Sequence, residues 1–273
     1  MARPQIEFIQ SQNLPWVPDT RIGLGEGVEI KVLSEDDETG AASLLVRYPA
    51  GWTFPAGASG ADEEFLVLDG ELKVGNFLFR HLGYGHWPAG HVSAERASQA
   101  GATVLTFVSS GRRRPPPPTF NRARLVEHID AYATPYTGNF NPQFPAGAGR
   151  KVLFTDPTTR ETSWILGTLP VRWAERAEEH DHAEEMYLLS GENHGDRGVM
   201  RPGAYFWRPG RVPHGPYGTL TGNLYFFRSK GGPLVTRYVE PQIPFRWWPP
   251  YRPALPPHLV AFAGEAPAGP KSW

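Results

Sequence analysis

The segment EEFLVLDG at Glu63–Gly70 returns 121 residues later as EEMYLLSG at Glu184–Gly191. At the same interval HWPAGHVS (His86–Ser93) lies on WRPGRVPH (Trp207–His214), with Pro88 and Pro209 in register, and Trp52 lies on Trp173. Lys31-Val32-Leu33 is matched by Lys151-Val152-Leu153. Two copies are too few for a solenoid, which needs about three stacked repeats to bury a continuous core. The chain therefore reads as one kind of domain used twice.

The type of domain follows from what punctuates each copy. Glycine (30) and proline (29) together exceed a fifth of the 273 residues, without a three-residue glycine period. That disfavours long helices and collagen and suits short strands joined by turns. Strand candidates such as Val28–Leu33, Ala41–Trp52, Glu63–Gly70 and Ala102–Val108 recur about every ten residues with turn signals between them, the pattern of an all-β sandwich or barrel. Between the copies, SSGRRRPPPPTF carries four consecutive prolines, Pro115–Pro118, which favour an extended, semi-rigid segment. The expected division is an N-terminal domain over 1–114 with an extended arm, a proline-rich linker over 115–120, and a C-terminal domain over 121–273. Arg112, Arg113 and Arg114 read as the solvated flank of that linker rather than as an anion contact.

Charge and composition exclude several functions. The formal net charge of −1 gives no electrostatic footprint for nucleic acid or a membrane surface. No apolar run is long enough to span a bilayer, and MARPQIEFIQ lacks the apolar run of a signal peptide. A soluble cytoplasmic protein is the expectation. There is no cysteine, so a metal would have to sit on histidine and carboxylate.

Such a set is present in one copy only. In HDHAEEMYLLSG, His180, His182 and Glu184 alternate, and His214 follows. On a strand the alternating three face one way. Residues four apart on a straight strand are roughly 13 Å apart, so a common ion requires a bend or bulge there. At the constant interval the first copy has Ser59, Ala61 and Ser93 where the second has His180, His182 and His214, and keeps only Glu63 for Glu184. One carboxylate cannot hold a divalent ion, so the site is empty in the first copy unless His81, His86 or His91 builds another; three scattered histidines near a turn read rather as surface or hydrogen-bonded side chains. The first domain is expected to be without a metal site.

These residues resemble the cupin family, with similarity to the cupin domain of ChrR-type anti-sigma factors and related uncharacterised cupins. Glu184–Gly191 fits the end of the family's first motif, and Gly203, Pro209 and His214 fit its second, with Arg211 at a position where the motif has glycine. The resemblance implies a duplicated cupin, two jelly-roll (double-stranded β-helix) barrels, the N-terminal one lacking metal ligands. It implies one divalent metal per chain on His180, His182, Glu184 and His214, with iron the foremost candidate and manganese, nickel or zinc as alternatives. The family leaves three or four residues between its second histidine and the glutamate, whereas only Ala183 separates His182 from Glu184. Counting back strictly from Glu184 instead puts Glu178 and His180 at the ligand positions.

Such a site suits an enzyme: a mononuclear non-haem, iron-type dioxygenase acting on a small aromatic or dicarbonyl compound. The alternatives are a non-catalytic metal-bearing sensor of the anti-sigma type and a non-oxidative isomerase, lyase or decarboxylase. Glu185, His194 and Tyr187 are the candidate acid–base residues, with Glu185 also readable as an outward-facing strand carboxylate. Of Tyr187, Tyr205, Phe206 and Trp207, period-two alternation lets at most half line a cup. The expected partner is a small-molecule substrate, with a homodimer compatible with exposed sheet edges. The tail beyond Pro241, with Phe245, Trp247, Trp248 and Tyr251 among prolines, is expected to pack across a barrel or a neighbouring subunit, because exposed tryptophan leaves a large apolar surface in water.

Overall fold

The computed structural model describes residues 3–111, 114–138, 146–267 and 273; Arg112 and Arg113 of the arginine run lie outside them. The chain forms two compact units, one of Pro15–Thr134 with the residues up to Arg3, the other of Pro4–Leu14 with Pro135–Trp273. The prolines at 115–118 thus belong to the first unit, and the division falls after Thr134. The physical reason is a strand: Val126–Asp130 pairs antiparallel with Gly83–Trp87 as an edge of the first unit's sheet. The arm at the N-terminus likewise belongs to the second unit, where Ile6–Gln10 pairs with Ala204–Arg208.

Each unit is built on a seven-stranded and a four-stranded antiparallel sheet. In the first, the large sheet runs Val126–Asp130, Gly83–Trp87, Glu63–Gly70, Ala102–Val108, Ala42–Tyr48, Glu29–Glu35, Val17–Pro18. In the second it runs Ile6–Gln10, Ala204–Arg208, Ala183–Gly191, Asn223–Lys230, Thr162–Thr168, Ala148–Thr155, Thr137–Gly138. Six of the seven strands correspond in sequence order, and the edge beside Gly83–Trp87 in one unit and Ala204–Arg208 in the other is supplied from opposite directions along the chain. The irregularities are duplicated too. Strand registers slip at Leu68 and again at Leu189, and at Leu33 and again at Leu153, and such bulges add twist where a sheet closes on itself.

The glycine ending each motif has a steric reason. Gly70 and Gly191 both have positive φ, +69° and +81°, and a Cβ there would come within 2.1 Å and 1.9 Å of the carbonyl oxygens of Gly101 and Gly222. Only glycine fits such a turn.

The two interiors differ. The first is a filled apolar core in which Trp52, Phe65, Leu72, Val74, Phe79 and Trp87 are all buried. Strand register places Trp52 opposite Ser98 and Arg172 opposite Thr219, so the counterpart of Trp52 is Arg172, not Trp173. Trp52 is 6 % exposed and Trp173 46 %, as expected when a one-residue slip moves a side chain to the other face. Leu72 and Trp87 are likewise replaced by Asn193 and Arg208. Removing two indoles and a leucine side chain from the barrel interior leaves a cavity of about 110 Å³ in the second unit.

The tail packs on the second unit, as expected for a proline-broken aromatic segment. Ala254 exchanges backbone hydrogen bonds with Glu7, Tyr251 donates to the Phe8 carbonyl, and Trp247 meets Trp173 edge-on at 6.0 Å. Trp248 remains largely exposed.

Candidate metal centre

Glu178, His180 and His214 bring one ligand atom each to within 4.8 Å of one another at the cavity wall. Two local devices put them there. Glu178 and His214 form a backbone bridge, each N–H donating to the other's carbonyl at 2.9 Å, so their side chains emerge together. The chain then breaks: Glu178–His180 pairs with Thr236–Tyr238, and a bend at Asp181–His182 precedes the next strand, Ala183–Gly191. This bend, rather than a bulge within one strand, brings Glu184 Oε1 to 3.5 Å from His180 Nε2. Asp181 anchors the bend by accepting from Arg211 and Arg237 at 3.0 and 2.9 Å.

His182 does not join the group. Because the strand stops at His180, alternation no longer carries through, and the His182 imidazole lies over Gly232, where a Cβ would come 2.4 Å from its Nε2. Its place is taken by Glu178, the position obtained by strict counting from Glu184. The four residues that converge are Glu178, His180, Glu184 and His214, with His214 Nε2 3.8 Å from Glu178 Oε1 and 3.9 Å from Glu184 Oε2.

Both imidazoles are oriented for coordination through Nε2. His214 Nδ1 faces the Val212 carbonyl at 2.9 Å and His180 Nδ1 the Val235 carbonyl at 3.4 Å. A carbonyl only accepts, so the proton sits on Nδ1 and Nε2 presents its lone pair, an arrangement common to metal-ligating histidines. His180 Nε2 is buried with no hydrogen-bond partner among the described residues, which an ion would supply. Burial lowers the pKa of His180, and burial together with the Arg208 cation and His180 holds that of His214 well below the usual histidine range, so both are neutral at pH 7. Burial and the adjacent Glu184 push the Glu178 carboxyl up to about 7, against the pull of Arg208.

Behind Glu184 lies a buried charge network. Arg208 donates to Glu184 Oε2 at 2.5 Å, to both oxygens of Glu7 at 2.6 and 2.7 Å, and to the Tyr217 hydroxyl at 2.8 Å. Burial opposes its charge, but Glu7, Tyr217 and Glu184 outweigh that and raise its pKa. The first unit has its own version: Arg96 forks onto both oxygens of Glu63 at 2.8 and 2.9 Å and lies 4.5 Å from the Trp87 ring centre. Arg96 stands where the second unit has Tyr217, and Trp87 where it has Arg208. Opposite Glu63, Ser93 donates to the Gly57 carbonyl at 3.3 Å, where the second unit has His214 and Glu178. Among the described residues no metal-ligand group forms in the first unit. His86 faces the Arg124 carbonyl and His81 the Tyr132 hydroxyl.

None of the three acid–base candidates lines the cavity. Glu185 is buried on the opposite strand face, accepting from Tyr205 and Arg228 at 2.6 Å each. It is thus turned away from the cavity but not exposed. Tyr187 shares that face and meets Ser11. His194 is held by the Trp247 carbonyl and sits edge-on to Trp247 and Trp248. Phe206 and Arg208 do face the cavity, whereas Tyr205 and Trp207 do not. The sequence reading missed Glu7, Arg208, Tyr217 and Arg172. For Arg208 a signal existed, a charged residue in a strand at the place where the sister copy has a core tryptophan.

Two barrels of this topology, one filled and one carrying a His/Glu cluster beside a cavity, define a bicupin. Residues 23–234 match the family described as Domain of unknown function (DUF4437), and the chain belongs to that family. No curated protein matches it. Among solved structures it is similar to a protein of Nostoc punctiforme provisionally described as a dioxygenase (19% identity, TM-score 0.78, 87% of this chain and 88% of that one). It is also similar to YlbA of E. coli (15%, 0.60, 86% and 93%) and to oxalate decarboxylase of Lactobacillus farciminis, solved as a formate complex (9%, 0.58, 85% and 88%). At these identities the likeness carries the cupin fold. No helix among the described residues is long and apolar enough to cross a membrane.

Proposed function

We propose that the second barrel is a mononuclear metal centre and that the protein is a non-haem, iron-type dioxygenase acting on a small aromatic or dicarbonyl compound. The observation that carries this reading is the convergence of two neutral imidazoles and Glu178 at the wall of a largely apolar cavity. Glu178, His180 and His214 would hold the ion, with Glu184 Oε1 in reach. Bound there, a divalent ion supplies Lewis acidity and, as iron, a redox site for dioxygen.

The chain's own residues supply the rest. Arg208 fixes Glu184 by donating to its other oxygen. Trp164, Met186, Phe206 and Phe227 wall the cavity and exclude water from a bound apolar substrate. Tyr217 lines it with its hydroxyl held between Arg208 and Glu7. Burial raises its pKa well above that of a free phenol, so it keeps its proton, which it directs at Glu7. The similarity to a provisionally described dioxygenase is consistent with this reading.

The test is elemental analysis of the purified chain, then oxygen uptake by iron-loaded protein over a panel of aromatic and dicarbonyl compounds. We expect one equivalent of metal, lost in His180→Ala but not in His86→Ala, and turnover abolished in His214→Ala. Turnover unchanged in His214→Ala would sink the proposal. Turnover that persists without oxygen would favour the isomerase, lyase or decarboxylase class, and stable metal binding without turnover the sensor reading.

A further inference from the structure

The metal ligands occupy one end of a ribbon whose next rungs carry polar groups of a different kind. Residues 172–178 run antiparallel to 219–214. Glu178 bridges His214, the Ala174 N–H donates to the Tyr217 carbonyl at 2.7 Å, and Arg172 stands opposite Thr219. From His214 to Thr219 is five residues, at most about 17 Å of chain. Arg172, Thr219, Glu178 and His214 all line the same cavity, with Asn193 beside them on the strand next to Thr219.

This polar cluster is not needed to fold the barrel. The first unit places Trp52 where Arg172 stands and Leu72 where Asn193 stands, both in its packed core. It places Ser98 where Thr219 stands, and Ser98 spends its hydroxyl on the Glu71 carbonyl at 2.7 Å. Thr219 Oγ1 is buried with no hydrogen-bond partner among the described residues, and a buried polar group left unmatched is costly. Arg172 is oriented by its Nε, which donates to the Ala146 carbonyl at 3.1 Å. Among the described residues the Asn193 amide nitrogen reaches only the Met200 sulfur, at 3.7 Å. A guanidinium, a hydroxyl and an amide facing an apolar cavity form a donor set for an oxyanion.

We propose that Arg172, Thr219 and Asn193 bind the carboxylate of a small monocarboxylic acid whose apolar body lies between Met186, Phe206, Tyr225 and Phe227. That the acid's other end is presented to Glu178, His180 and His214 rests on the metal-centre reading; the carboxylate subsite does not. The small cavity selects an acid with a compact body, and Arg176, further along the same ribbon, is held over the Tyr238 ring at 4.7 Å, which leaves Arg172 as the cation beside Thr219 and points to a monoacid.

Ligand-observed NMR titration of the full chain tests this, with benzoate, phenylacetate and isovalerate set against their primary amides and with metal content measured on each sample. At least one acid is expected to bind more tightly than its amide, and Arg172→Gln to weaken that acid by about ten- to a hundredfold, the worth of one charge-assisted hydrogen bond or a pair. Thr219→Val should weaken it less, and Arg172→Lys should restore part of the preference for acid over amide. Thermal melts confirm that each variant is folded, and Thr219→Val serves if Arg172→Gln is not. Equal binding of acid and amide, no binding of any acid, or an acid preference intact in both variants would overturn the proposal. In His214→Ala the preference is expected to survive; its loss there would place the carboxylate on the metal ligands and also overturn it. A wild-type chain without metal that still prefers the acid would remove the metal reading and leave this one standing.

Discussion

Glu178 and Arg208 are the two residues whose environment most shapes the site. In the metal-free protein Glu178 holds its proton up to about pH 7 rather than the ordinary 4.5. The folded chain therefore binds more protons than the unfolded one across that window, and Glu178 contributes stability that is lost as pH rises through it. Glu178→Gln, which has no proton to lose, should gain in melting temperature relative to wild type between pH 5 and pH 8 in chelator. Saturating manganese should reverse the order at pH 8, because the ion displaces the proton and uses the carboxylate. A melting difference that does not change with pH would contradict the buried carboxyl. Arg208 is the opposite case, a cation that two carboxylates require. Arg208→Met strands Glu7 and Glu184 in the interior and should cost about 3–5 kcal/mol in denaturant unfolding; a loss below 1 kcal/mol would mean water reaches that network.

At the scale of elements, the turn before His214 and the bend before Glu184 hold each other. Arg211 has φ +65° where the sister turn has Gly90 at +86°. A non-glycine residue there costs about 1–2 kcal/mol, and its exposed ion pair with Asp181 returns at most about 1 kcal/mol. Arg211→Gly should therefore stabilise the chain by roughly 0.5 kcal/mol after the glycine's larger unfolded-state entropy is counted. Destabilisation instead would show the Asp181 bend to depend on Arg211. These elements also show what was legible in the sequence. The strands, the duplicated motif, the glycine at its end and the cluster around His180 and His214 were readable because a period of two and a steric requirement at one turn leave marks in a single chain. His182 could not be placed, since alternation assumes an unbroken strand and nothing local announces the bend at Asp181. Glu7 was invisible for another reason: it reaches Arg208 through an edge strand paired 201 residues away. Arg172 was hidden by the tempting identity of Trp52 with Trp173, which strand register shows to be one residue off.

At the scale of the whole molecule, one barrel sequence has been taken to two ends by exchanging interior volume for polar groups. The first copy does not merely lack ligands. Trp52, Phe65, Leu72 and Trp87 fill the space that is open in the second, and Arg96 occupies both oxygens of Glu63. Restoring side chains of the right type should therefore not restore a site. With Gly57→Glu, Ser59→His and Ser93→His introduced together, the first unit would carry all four counterparts of Glu178, His180, Glu184 and His214. The metal content should nonetheless stay at the wild-type value, because Arg96 keeps both oxygens of Glu63 and position 57 is solvent-exposed rather than part of a buried ligand wall. A second equivalent of metal in that variant would show that ligand identity alone, and not the hollowing of the barrel by Arg172, Asn193 and Arg208, separates the two units. Adding Trp52→Arg and Arg96→Tyr to the triple variant then becomes the informative step, because it opens the space and frees Glu63 together.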